Sequence, residues 1–286
     1  STPKPSSAAS DVYKRQSLGY LGGGLLFLVN VIMFLNPQFF GIENQSNAIL
    51  ISFVMVAFWW AFFSIPILRN VSESDTQKEE PRFFKAILQS FNEVYQTLME
   101  VRKYKNVAIF LLAYWFYMDG IDTIVRMATA YGSDIGLETS SMITALILTQ
   151  FVGFPSTLIF GYFADKIGFK KIISIGILIY ILISIFASRI TTATEFYLMA
   201  VVVGLVMGGV QAVSRAYFSS IIPEDKEAQF FGFYNLVGKS AVVAGPALLA
   251  WISMIFNTPR AGILGLLILF IPGLILLWMV PTQKNS

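Results

Sequence analysis

The 286-residue chain contains no cysteine and no histidine. The first absence removes disulfide frameworks and thiolate metal sites, and the second removes the commonest metal ligand and neutral-pH proton carrier. Charge is scarce as well: 13% of residues are charged against 56% hydrophobic, with a mean hydropathy of +0.67. A soluble domain of this size could not hide so much apolar surface, whereas a bilayer asks for about 20 apolar residues per spanning helix. The composition therefore predicts an all-α polytopic membrane protein. The net charge of +3 does not point to nucleic acid, because the basic residues sit in loops beside apolar segments, where orientation in a bilayer accounts for them. No nucleophile, base and orienting group converge, and neither a metal-ligand cluster nor a phosphate loop is present. An enzyme and a bound cofactor are accordingly not expected.

What the chain does contain is a series of apolar segments at 17–36, 47–68, 107–130, 140–163, 172–188, 195–219, 230–256 and 261–280, eight predicted spans in all. Residues 1–16 are polar and are expected to be a leader without structure. Within them Asp11 to Gln16, DVYKRQ, resembles the translation of a transposon mosaic end, so the authentic chain is expected to start near Ser17 and to be a fragment of a longer protein. Gly22, Gly23 and Gly24 follow no strand, which excludes a nucleotide loop and favours close helix packing.

Residues 69–105 form a polar linker in which Phe84, Ile87, Leu88, Phe91, Val94, Tyr95 and Leu98 recur at helical spacing. This amphipathic helix is expected on the membrane surface or against the bundle, either as a cover for helix ends or in a regulatory role. Lys and Arg concentrate on this linker, at Lys166, Lys170 and Lys171, and at Lys226 and Lys284, while the alternate loops hold Arg189 and Arg260. The positive-inside bias then places the linker and both termini in the cytoplasm. The division expected is 17–68, two spans; 69–105, linker; and 106–286, a six-helix bundle with a short tail.

Charges inside the spans single out candidate sites, since one near the bilayer centre costs about 2.5 to 3.5 kcal/mol on insertion scales. Asp119, Asp122 and Arg126 follow at steps of three and four and share roughly one helical face. They either form an internal pair that lets the helix insert, or line a water-filled cavity where a carboxylate binds a cationic group or exchanges a proton. Gln211 and Arg215, and then Asn235 and Lys239, repeat the step of four on two further segments. Arg215 is an anion clamp or a snorkelling anchor, and Lys239, deeper in its span, favours a cavity. Gly204, Gly208 and Ala212 recur every four residues, as do Ala241 and Gly245, which predicts close helix contacts.

The turn containing Gly161, Asp165, Lys166, Gly168, Lys170 and Lys171 resembles the cytoplasmic G-x-x-x-D-[RK]-x-G-[RK]-[RK]-[RK] loop of the major facilitator superfamily, with Phe169 departing from the usual basic residue. It is also adequate as a simple turn with positive-inside lysines. LGYLGGGLL from Leu18, FYMDGIDTI from Phe116 and the stretch from Gly208 to Pro246 resemble the autophagy-related vacuolar amino-acid effluxers and their bacterial permease relatives.

The resemblance implies that the eight spans correspond to helices five to twelve of a twelve-helix fold working by alternating access. It implies a secondary transporter of a small polar solute, for which an amino acid is a candidate, with protons as a candidate coupling ion and membrane lipid as surroundings. Asp119, Asp122, Arg126, Gln211, Arg215, Asn235 and Lys239 are the substrate or coupling-ion candidates, and the turn is the candidate conformational gate. A bacterial cytoplasmic membrane is the expected location, or a vacuolar membrane for a fungal chain. A scaffold or sensor built on the same fold is the alternative.

Overall fold

The computed structural model describes residues 5–70 and 83–281, and these are helical throughout apart from short turns, with no strand among them. Among the described residues ten of the eleven α-helices make eight candidate membrane spans, as the apolar segments predict, and α3 lies outside them. Helices α1 (Pro5–Leu35) and α2 (Gln45–Asn70) are joined by a 3-10 turn at Pro37–Phe40, which Gly41 closes in the left-handed region at φ 71. Next come α3 (Phe83–Val101), α4 (Lys105–Asp134), α5 (Thr139–Ile167), α6 (Phe169–Ala187) and α7 (Ala193–Ile221). The seventh span is two helices, α8 (Glu227–Ser240) and α9 (Ala244–Phe256), and the eighth is α10 (Pro259–Gly265) followed by α11 (Leu267–Met279).

Three expectations need adjustment. Residues 5–16 belong to α1, and Tyr13 is buried, so the leader is not without structure over that stretch. Between Pro5 and Leu18 no glycine or proline interrupts the chain, and extending an existing helix costs little once its nucleus is formed. The span at 230–256 breaks at residues 241–243, where the expectation was one continuous helix. Pro246 supplies the reason, because its ring clashes with the carbonyl four residues earlier, at Val242. In the first turn of a new helix the same proline sacrifices only a donor that has no intrahelical partner anyway. The last span is interrupted only at Leu266, between α10 and α11, where the backbone keeps helical angles. The amphipathic helix is found as α3, whereas the polar linker at 71–82 lies outside the described residues.

The chain divides into two compact units, residues 22–92 and residues 1–21 with 93–286. The smaller is a hairpin of α1 and α2 with a shallow apolar cleft of about 470 Å³ lined by Leu26, Val29, Phe58 and Trp59, among others. The larger unit carries the packed core, and its densest seam joins α5 to α7. Small residues make that approach possible, as their spacing in the sequence predicts. A β-carbon on Gly204 would lie 2.8 Å from the backbone oxygen of Thr149. Hydroxyls along the seam donate to main-chain carbonyls, Thr149 to Ala200 at 3.1 Å and Ser156 to Leu205, so polar groups are satisfied within the apolar environment. Helix α7 opens on a capping box, in which Thr192 accepts from the Glu195 amide and Glu195 accepts from the Thr192 amide. Helix α4 packs on α7, and α11 and the broken span are packed against α4.

Candidate functional site

Helix α4 crosses the larger unit with Asp119, Asp122 and Arg126 at graded depth: Asp119 is fully buried, Asp122 half-buried and Arg126 exposed. The expectation of one charged face therefore resolves into two environments. Asp119 points at the start of α9, where a β-carbon on Gly245 would lie 2.8 Å from its Oδ1 and closer still to Thr123 Oγ1. Glycine is required there because α9 arrives too close to α4 for any side chain. Neither carboxylate oxygen of Asp119 has a well-formed hydrogen bond, although the Gly245 amide faces it. The amino-terminal end of α9 is thus turned toward a buried carboxylate. Thr123 Oγ1 donates to the backbone oxygen of Asp119 at 2.6 Å, which fixes the same turn of α4.

Asp122 and Arg126 influence each other electrostatically without approaching within ion-pair distance; the one salt bridge among the described residues is elsewhere. An internal Asp122 to Arg126 pair closed for insertion is consequently not what the structure contains. The half-buried Asp122 makes no hydrogen bond or ion pair among the described residues.

On α7 and α8 the structure brings together two residues singled out separately in the sequence. Arg215 Nη2 donates to Asn235 Oδ1 at 3.3 Å, and both side chains are exposed. One turn away Gln211 accepts from Gln16 at 3.4 Å. Lys239, in the last turn of α8 just before the break, is exposed and makes no hydrogen bond or ion pair among the described residues.

Behind these polar groups is an aromatic wall that sequence inspection did not single out. Tyr114 stacks on Tyr234 with centroids 4.3 Å apart, Phe218 stacks on Tyr234 at 4.7 Å, and Tyr117 shares a buried 2.7 Å hydrogen bond with Ser214. Offset stacking of this kind adds to area burial and resists rotation. Tyr114 and Tyr117 lie on α4, Ser214 on α7 and Tyr234 on α8, so the wall locks the three helices that carry the charges. The signal available in the sequence was the recurrence of Tyr114 and Tyr117 ahead of Asp119 on one segment.

The candidate gating turn lies between α5 and α6. Gly168 closes α5 at φ 98, a conformation that favours glycine. Asp165, Lys166 and Lys171 are exposed, and Lys166 rests over the Tyr162 ring at 4.3 Å. Asp165 makes no hydrogen bond or ion pair among the described residues. Lys170 is engaged otherwise: its ammonium donates to the carbonyls of Trp278 at 2.8 Å and Val280 at 2.7 Å, capping the end of α11. Gly161 takes the Tyr13 ring against its backbone.

Outside the spans, the end of α3 is fastened to the turn before α8. Glu100 forms an ion pair with Lys226, and Gln229 donates to Thr97 Oγ1 at 2.9 Å. The hydrogen bond from Lys226 holds the Glu100 carboxyl below its ordinary value and raises that of Lys226 in return. Among the described residues no cluster of three or more potential metal ligands occurs.

Comparison with known proteins matches residues 15–286 to the family model described as vacuole effluxer Atg22 like. The uncharacterized MFS-type transporter YxiO of Bacillus subtilis is 36% identical over 270 residues, covering 94% of this chain and 62% of its own. Autophagy-related protein 22 of Eremothecium gossypii is 25% identical over 260 residues, 82% of this chain and 49% of its own. That of Yarrowia lipolytica is 24% identical over 297 residues, covering 94% and 50% respectively. The chain spans about half to 62% of the length of these relatives.

Proposed function

We propose, from the premise that this chain belongs to the family of Atg22-like vacuole effluxers, that it forms part of a secondary transporter moving a small polar solute across a membrane by alternating access. The observation that carries this reading is the open polar face around the broken seventh span. Asp122, Arg126, the Arg215 and Asn235 pair, and Lys239 all stand on membrane-spanning helices and remain unburied or half-buried. Charges held in a bilayer at such a cost line cavities or contact solutes. Discontinuous spans with free helix ends near the middle of the membrane are a recurring feature of transporter sites.

A zwitterionic solute such as an amino acid suits this face. Its carboxylate meets Arg215 or Lys239, and its ammonium meets Asp122. Arginine offers a planar fork for carboxylate, and Asn235 holds one arm of it in place. Asp119 and Asp122 are the candidates to carry a coupling proton, while Gln211, on the same helix as Arg215, adds a neutral polar contact. The turn around Asp165 acts on the balance between inward- and outward-facing states, with the basic loops and linker in the cytoplasm. A bacterial cytoplasmic membrane is the proposed location, with a vacuolar membrane for a fungal source.

The test uses the full-length protein reconstituted in vesicles and follows solute flux and proton movement. Asp122→Asn and Lys239→Gln should each insert normally and reduce flux about tenfold or more, equivalent to about 1.4 kcal/mol of lost solute interaction. Normal insertion with unchanged flux in both variants would assign these charges to structure and favour a scaffold on the same fold.

A further inference from the structure

Helix α3 presents two different faces along residues 93–101. One edge grips the protein: Thr97 and Val101 are buried, Gln229 reaches Thr97, and Glu100 pairs with Lys226. The other face is apolar and open, with Val94, Tyr95 and Met99 exposed to 42%, 59% and 43%. At about 100° per residue these three fall on an arc beside, and not on, the edge used for docking. Leu98 lies within the same arc and is half-buried. Phe91, also exposed, continues the stripe one turn toward the start of the helix. A helix whose role was only to cover the bundle would turn this stripe inward.

Two features identify what covers it. The chain passes from α3 into α4 through Arg102, Lys103 and Tyr104, and α4 is a membrane span from its first turn, so the end of α3 stands at the level of the headgroups. Arg102, Lys103 and Lys105 are exposed cations at this end, and the Arg102 guanidinium folds back beside Met99 Sδ at 3.9 Å. Of the two acids on the docking edge, Glu100 is already engaged by Lys226, and Glu93 lies more than two turns back from these cations. Apolar side chains flanked by unneutralised cations match the boundary between acyl chains and anionic headgroups.

We propose that the open face of α3 lies in the surface of the bilayer and binds anionic lipid, with Val94, Tyr95 and Met99 entering the acyl boundary and Arg102, Lys103 and Lys105 meeting the headgroups. The same helix grips the turn before α8, so lipid engagement also steadies the entry to the broken span. The proposal goes beyond the transport reading and does not depend on the solute.

The absence of cysteine makes the test direct. Single cysteines at Tyr95, Met99 and, as a control on the polar side, Gln96 are labelled with a fluorophore in the full chain. The labelled protein is then reconstituted in phosphatidylcholine vesicles with or without phosphatidylglycerol. Labels at Tyr95 and Met99 should be quenched by spin-labelled lipid, at a depth of about 5–10 Å below the headgroups, and shielded from iodide. The label at Gln96 should show the reverse. Omitting phosphatidylglycerol, or introducing R102Q with K103Q, should weaken lipid quenching at both positions. Two test positions guard against one replacement disturbing the helix. Iodide access at Tyr95 and Met99 equal to that at Gln96 would overturn the proposal. So would protection from both quenchers, which would mean a protein covers the face. Lipid quenching indifferent to phosphatidylglycerol would remove the anionic specificity.

Discussion

The α5–α7 seam and the face where α4 meets α8 and α9 are built from the same short vocabulary of glycine, serine and threonine among apolar residues, yet they are in opposite states. Along the seam the small residues bring backbones into contact, and each hydroxyl named above is spent on a main-chain carbonyl. On the other face the close approach of Gly245 to α4 confines a carboxylate that lacks a well-formed hydrogen bond, one helix is broken, and Lys239 has no partner among the described residues. Sealed packing gives a membrane protein a rigid body. An open polar face gives it somewhere to work. Building the two from different helix pairs allows the second to change contacts without loosening the first.

The comparison is broken most severely by Gly204→Val. The new β-carbon meets the backbone oxygen of Thr149, which cannot rotate away. Overpacking of this kind should cost about 3 kcal/mol or more, read as a lowered thermal midpoint in detergent. A variant with unchanged stability would show that the seam is looser than described.

The ends of the two regions are fastened by different chemistry, which gives a graded pair of tests. Lys170→Met removes two donors from the carbonyls that end α11 and should cost about 1 kcal/mol. Faster amide exchange confined to the last turn of α11 would identify it, whereas no change would mean that water replaces the cap. The smallest effect is expected at the half-buried Glu100 and Lys226 pair. Glu100 titrates below 4.5 when folded, so its contribution is complete above 4.5 and is lost as the pH falls through the folded value. Lys226 titrates above 10.5, so its contribution is complete below 10.5 and is lost as the pH rises through the folded value. The mobility of a label on α3 should therefore stay flat between 4.5 and 10.5 and rise outside that window. A transition near neutrality would assign the docking of α3 to other groups.

Much of this architecture was legible in the chain. The eight spans follow from apolar length alone, and the close contacts of α7 follow from Gly204 and Gly208. The Atg22-like membership was carried by short stretches such as FYMDGIDTI and is shown by the family match. The break in the seventh span was less legible, because hydropathy runs on through Val242 and Val243 and only Pro246 marks the place. Helical spacing put Asp119 and Asp122 on one face, but it could not separate them. Their difference depends on how closely α9 packs, a property of Gly245 on another helix. The Arg215 and Asn235 contact was hidden for the same reason, since the two residues belong to different helices.

The most direct test of the central claim is the water accessibility of the polar face in the full-length protein. Single cysteines at Asn235 and Lys239 should react readily with a membrane-impermeant thiol reagent, and added transported solute should slow them. A single cysteine at Ser156, buried within the seam, should remain unreactive under the same conditions. Protection at Asn235 and Lys239 equal to that at Ser156 would contradict the account, because the face around the broken span would then be as dry as the seam.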